Sequence, residues 1–156
     1  TPSDLLVQCG SDLGTRQRGV FEDLFDAGYS KVLVIGSDLP TLPVQYIEEA
    51  LLRINHSLVV LGPSEDGGYY LMGLTAPRRH DPVPDLFTDI RWSTASALED
   101  TIHAAERAHL TVSQVAPWYD IDTVDGLSRL QEDLTTAKHI QRAPETARTL
   151  RLIASR

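Results

Sequence analysis

Two nearly continuous apolar runs constrain this chain more than any other feature of it. KVLVI at 31–35 and SLVVL at 57–61 each have the length of one strand, and neither alternates polar with apolar residues. A strand that is apolar throughout is covered on both faces, as in parallel sheets flanked by helices. Gly36 closes the first run and Gly62-Pro63 the second. Between them Thr41 and Pro43 open a helix over roughly 43–53, with Ile47, Ala50, Leu51 and Ile54 directed inward. Strand, helix and strand in that order predict an α/β fold with a mainly parallel sheet.

The rest of the chain continues the alternation. LLVQC at 5–9 reads as a short strand. From Arg16 to Ala27, Val20, Phe21, Leu24 and Phe25 share one helical face, and Gly28 supplies the stop. A strand is expected over 69–74, and Ser93 is placed to cap a helix reaching about Ala108. A strand over 110–115, a helix capped by Thr123 and running to about Leu134, and a helix over roughly 144–154 complete the pattern. With no repeat, low-complexity tract or linker, 156 residues predict a single domain, 1–156, with one core.

Composition narrows the partners. The net charge is -8, from 14 basic and 22 acidic residues. No basic stripe is available for phosphate contacts, which argues against a nucleic-acid partner. Phosphorylated ligands stay within reach if a divalent metal stands between them and the carboxylates. Cys9 is the only cysteine. That rules out an internal disulfide or a cysteine zinc site, and a cytoplasmic, reducing location is expected. Cys9 itself reads as a small buried hydrophobe. No apolar run is long enough to span a membrane and no signal-peptide pattern opens the chain, so no membrane partner is expected.

In open α/β sheets ligands bind beyond the carboxyl ends of the strands, and three loops at such positions carry acids. In IGSDLPTLP, 35–43, Asp38 follows an apolar strand. It either caps the turn or the next helix, or binds a metal at the sheet edge. In YDIDTVDGL, 119–127, Asp120 and Asp122 point the same way if the segment is extended. Mg²⁺ takes one or two protein carboxylates and leaves its other positions to water and substrate phosphates. Asp38 with one of this pair would suffice, although Asp122 with Thr123 can also simply cap a helix. In GPSEDGGYYLMGL, 62–74, Glu65 and Asp66 precede Gly67 and Gly68. The glycines would let a ligand approach the backbone, with both acids in one cleft, or the loop is a turn with a solvated acid pair.

Other candidates are weaker. QCGSDLGTRQRG, 8–19, is a glycine-bearing loop before a helix whose amino end could receive an anion, with Arg16 nearby. It matches no phosphate-loop or dinucleotide fingerprint. WST, 92–94, reads as a core tryptophan before a cap, and the five histidines lack ligand spacing.

QCGSDLGTR, VLVIGSDLPTLP, LGPSEDGGYYLMGL, LFTDIRWSTASALEDT and WYDIDTVDGL together, in this order, resemble a glycosyltransferase-like family. It is DUF2064, the radical-SAM/selenodomain-associated transferases of the nucleotide-diphospho-sugar transferase superfamily, which have a GT-A fold. The resemblance runs from Gln8 to about Leu130. It implies that Asp38 of SDLP and Asp122 of DIDT hold Mg²⁺ or Mn²⁺ against a nucleotide diphosphate. Gln8, Gly14 and Thr15 would meet the nucleotide, with Arg16, Gly67 and Gly68 beside it. Glu65 and Asp66 would face the transferred or accepting group, orienting a hydroxyl or acting as general base. Relatives include 2-phospholactate guanylyltransferase and molybdenum cofactor guanylyltransferase.

Two departures from the family pattern stand out. After DIDT the chain reads Val124, Asp125, Gly126, Leu127 where the family has Pro-Glu-Asp-Leu. The family's opening strand, phosphate-cradling loop and next strand-helix unit have no counterpart, so the chain is expected to be the C-terminal two-thirds of that domain. The function expected is metal-dependent transfer from a nucleotide sugar, or a nucleoside triphosphate, to a small-molecule acceptor. Nucleotidyl transfer and a non-catalytic nucleotide- or metal-binding remnant are the alternatives, and a homo-oligomer is possible in either case.

Overall fold

A computed structural model describes residues 5–78 and 81–154. Helix α1 is Leu13–Asp26, strand β1 Lys31–Ile35, α2 Val44–Arg53, β2 Val59–Pro63, β3 Tyr69–Thr75 and α3 Ala97–Arg107. Strand β4 is Val112–Gln114, and α4 Val124–Asp133, α5 Ala137–Arg142 and α6 Pro144–Ala154 follow. The sheet order is β1-β3-β2-β4. β1, β2 and β4 run the same way, while β3 lies antiparallel between β1 and β2. The sheet is therefore parallel in the direction of most strands, with one reversed strand at its centre. The reversal follows from the short connection, since Ser64–Gly68 is long enough only for a hairpin.

Each sheet face carries its own core. On one, Val32, Val59, Leu61, Met72 and Leu74 meet Phe21 of α1, Ala104 and Ala105 of α3, and Leu86 and Phe87. On the other, Val60, Tyr70 and Leu71 meet Leu39, Val115, and Ala50 and Ile54 of the α2 region. Gly73 sits opposite both Leu33 and Val60, and a Cβ there would lie 2.4 Å from the Leu33 side chain. Only glycine fits beneath that leucine.

A bulge sets which tyrosine faces which core. Gly62 pairs with Leu71 and Pro63 with Tyr69, so Tyr70 is an extra residue in that ladder. Tyr69 consequently packs toward the first core and Tyr70 toward the second. The Tyr70 ring lies over Gly62, where a Cβ would approach it to 2.5 Å, and its hydroxyl donates to the Ala116 carbonyl at 2.9 Å.

Several sequence expectations are corrected. Residues 5–9 are not a strand, and Leu5 is 97% exposed, because among the described residues no strand lies beside them to pair with. Cys9 is exposed rather than buried. Leu51 points to solvent, since Ala50 and Ile54 already occupy the α2 face against the sheet. The 57–61 strand is shifted to 59–63, and α5 was not foreseen. Ser93 does not cap α3: its φ is +58°, outside the extended range a cap adopts, and the helix starts four residues later, after Ser96. Thr123 does cap α4, accepting the Gly126 amide at 3.1 Å. No described helix is long and apolar enough to cross a membrane.

Candidate active site

The carboxyl ends of β1, β2 and β4 and the start of β3 lie at one edge of the sheet, where the acidic loops converge. Asp122 shows this most directly. Its carboxyl is pushed above the ordinary carboxylate range, first by loss of solvent, then by the negative charges of Asp120, Asp38 and Asp66, and by hydrogen bonding with Asp38. Like charges this close penalise the ionised form. Asp38 reaches its place by folding back over Gly36, where a Cβ would stand 2.9 Å from Asp38 Oδ1. The Gly36 amide donates to the Tyr70 carbonyl at 2.9 Å, tying the exit of β1 to the bulge.

Each remaining acid is held on one side and open on the other. Asp66 Oδ1 accepts the Gly68 amide at 2.9 Å, and Asp120 Oδ2 accepts the buried Ser64 hydroxyl at 3.1 Å. The 118–122 segment is anchored by Tyr119. Its hydroxyl donates to Asp133 of α4 and lies 3.1 Å from the buried Thr41 hydroxyl. The Arg129 guanidinium stacks 3.9 Å from the Tyr119 ring centre.

Two adjoining cavities open here. The larger, about 550 Å³, runs past Gln8, Ser37, Asp38 and Asp120. The smaller, about 140 Å³, is walled by Asp66, Gly68, Trp92 and Ser93. Leu13, Gln17, Tyr69 and Asp120 border both. A larger hollow, of about 660 Å³ beside Pro77 and Arg78, lies at the opposite end of the strands.

Residues 2–94 match the family described as "Uncharacterized protein conserved in bacteria (DUF2064)". The chain belongs to the DUF2064 family. This DUF2064 chain is also similar to a crystal structure from Desulfovibrio desulfuricans G20, described as a "putative nucleotide-diphospho-sugar transferase". The two share 35% identity with a TM-score of 0.82, over 95% of this chain and 62% of the other. The DUF2064 chain thus spans under two thirds of that relative's length. Comparison with curated proteins gives no match.

The structure brings together Asp38, Asp66, Asp120 and Asp122, and Gln8 lines the larger cavity. Other expected contacts are taken up within the protein. Glu65 turns away from Asp66 and pairs with Arg129, so the two acids do not share one cleft. Gly14 is buried against Trp92, whose Nε1 would lie 2.9 Å from a Cβ there. Thr15 completes a capping box with Asp12, and Arg16 Nε donates to the Gly10 carbonyl. Asp12 caps the α1 amino end with a carboxylate of its own. Its carboxyl lies below the usual value, chiefly through the Thr15 amide, so that end is not open to an outside anion. Gly67, at φ +89°, faces the Ala95 backbone, 2.3 Å from where a Cβ would be. The close approach there is the chain's own.

Gln17, Trp92 and Arg129 were not legible as site residues. Gln17 accepts the Tyr69 hydroxyl at 2.9 Å across 52 positions, and Arg129 reaches Glu65 across 64. No local pattern signals such pairings.

Proposed function

We propose that this chain is part of a metal-dependent transferase that moves a sugar from a nucleotide diphosphate to a small-molecule acceptor. The observation that carries this is the meeting of Asp38, Asp66, Asp120 and Asp122 beside a cavity of ligand size. Likeness to the Desulfovibrio protein supports the same direction.

The donor set suits a hard cation. Among the described residues no group of three or more His, Cys, Asp or Glu could hold a metal alone. Two carboxylates, Asp38 and Asp122, with substrate phosphates and water completing the shell, are what Mg²⁺ or Mn²⁺ accepts. When bound, such an ion neutralises the diphosphate and stabilises charge on the leaving group. Asp66 has the role first expected of either acid in its loop. Its unbonded oxygen is free to orient an acceptor hydroxyl and take its proton. Glu65, paired with Arg129, fixes the loop instead.

The test is thermal unfolding with a panel of nucleoside diphosphates and nucleotide sugars, with and without Mn²⁺. A ligand at a hundred times its dissociation constant adds about 2.7 kcal/mol. A Mn²⁺-dependent gain that Asp38→Ala abolishes is expected, and no such gain for any nucleotide would sink the proposal. A second reading, nucleotide binding without turnover, would be selected by metal-dependent binding with no consumption of any nucleotide sugar.

A further inference from the structure

The two cavities differ in what they can hold. Ligand sites commonly measure about 300–1,000 Å³. The larger cavity, at about 550 Å³, falls within that range, and the smaller, at about 140 Å³, takes only a fragment. Among the described residues, no Lys or Arg lines either one. Arg91, next in sequence to Trp92, holds Asp100 through Nε at 2.9 Å and a terminal nitrogen at 2.8 Å. Arg16, next to Gln17, donates through Nε to the Gly10 carbonyl at 3.1 Å, and Arg129 holds Glu65. An anionic group in the smaller cavity would face Asp66 and Asp120 with no cationic side chain to meet it.

Its walls suit a different chemistry. Trp92 and Tyr69 meet edge to face at 6.3 Å and form an apolar corner. Aromatic corners of this kind receive the C–H face of a saturated ring. The rim is polar. Asp66 and Asp120 each keep one carboxylate oxygen without a partner among the described residues, able to accept a hydroxyl proton. Gln17 uses its carbonyl oxygen for Tyr69, which leaves its NH₂ to donate.

Ser93 adds an independent sign. Its φ of +58° is an unusual state for a residue other than glycine. Asp89, at φ +60°, and His109 share it, but neither borders the cavity, and His109 lies where α3 ends, with its amide on the Glu106 carbonyl. Ser93 ends no helix, borders the cavity, and has a hydroxyl with no partner among the described residues. Strain of this kind collects where a side chain is held out for a ligand.

We propose that the smaller cavity takes an uncharged, hydroxyl-bearing ring, a neutral sugar, and disfavours phosphorylated or carboxylated compounds. It rests on the transferase proposal only for which molecule carries the ring: the sugar of the donor or a sugar acceptor. Phosphates belong to the larger cavity beside Asp38.

Trp118→Phe leaves Trp92 as the only tryptophan and its emission as the readout. That protein, free of metal, is titrated with glucose, galactose, mannose and N-acetylglucosamine, then with glucose 6-phosphate and glucuronate. A saturable response to at least one neutral sugar is expected, with the charged compounds weaker by at least about tenfold. Ser93→Gly relieves the backbone and removes the hydroxymethyl side chain. It should weaken the sugar by roughly three- to tenfold without lowering the melting temperature. Charged compounds binding as well as neutral ones, or no neutral sugar moving Trp92 emission at millimolar concentration, would overturn the proposal.

Two further arms assign the source. A nucleotide sugar that displaces the free sugar, where the bare nucleoside diphosphate does not, makes the ring the donor's. Binding alongside both makes it the acceptor's. Sugar binding with no nucleotide binding supports the cavity and removes the transferase proposal, whereas nucleotide binding with no sugar response does the reverse.

Discussion

Asp100 and Asp122 are the same residue in opposite surroundings. Asp100, on α3, accepts the Arg91 amide at 3.0 Å and two guanidinium nitrogens, and its carboxyl is pulled down to about 2, chiefly by the Arg91 side chain. Asp122 has no arginine, faces three other acids and is pushed up. One carboxylate is matched by the protein and fixes the 91–100 turn. The other is left with its charge unmatched, which costs stability in the free protein and is useful only if a cation from outside joins it. Unmatched charge in a cleft, more than acidity itself, separates a candidate binding acid from a structural one.

The heaviest blow to this contrast comes through the loop that carries Asp66. Gly67→Ala puts a Cβ into the Ala95 backbone at a positive φ, and should cost about 3 kcal/mol by chemical denaturation. Next is Asp122→Asn. It should remove the Mn²⁺-dependent gain of about 2.7 kcal/mol from a saturating nucleotide while leaving the free protein as stable or more so. Asp100→Asn should do the opposite, lowering the melting temperature of the free protein and sparing the Mn²⁺ response. If both substitutions moved stability the same way, the contrast would fail.

A smaller effect is expected from Gly36→Ala, which displaces the Asp38 carboxylate and otherwise presses only on the end of the Leu39 side chain, at 3.3 Å. Mn²⁺ affinity, measured by electron paramagnetic resonance, should fall several-fold with little change in melting temperature. The smallest effect lies in acid. The Asp100 pKa is lower folded than unfolded. Its contribution is therefore complete above about pH 4 and is lost as pH falls toward 2. Asp100→Asn should flatten the acid-unfolding curve in that window alone.

Much of this was legible in the sequence because strands announce themselves by apolar runs. KVLVI is β1 residue for residue, and the acids after strand ends do gather at one edge. Other features depend on partners that no local pattern reveals. LLVQC has strand composition but nothing to pair with. YYLMGL is as apolar as its parallel neighbours, so composition does not show that β3 runs backward, although the short Ser64–Gly68 connection does. The turn of Glu65 away from Asp66 was hidden because Arg129, which draws it, lies on α4. Glycines were the most misleading signal. Gly14 and Gly67 were read as room for a ligand, yet Trp92 and Ala95 fill those spaces.

The unpaired Tyr70 gives the β2–β3 hairpin a fixed phase. With one residue fewer, the alternation of β3 would run unbroken and the two tyrosines would exchange faces. Tyr69 would leave Gln17 and the small cavity, and Tyr70 would leave Ala116 and its seat on Gly62. The hairpin is thus wired like a crossed pair of leads. Substitution at Asp66 can change which ligand is preferred without altering this phase, whereas Glu65 also holds the loop through Arg129. A change of loop length is tolerated only if it keeps the crossing, so selectivity at this edge can drift by substitution far more readily than by insertion or deletion.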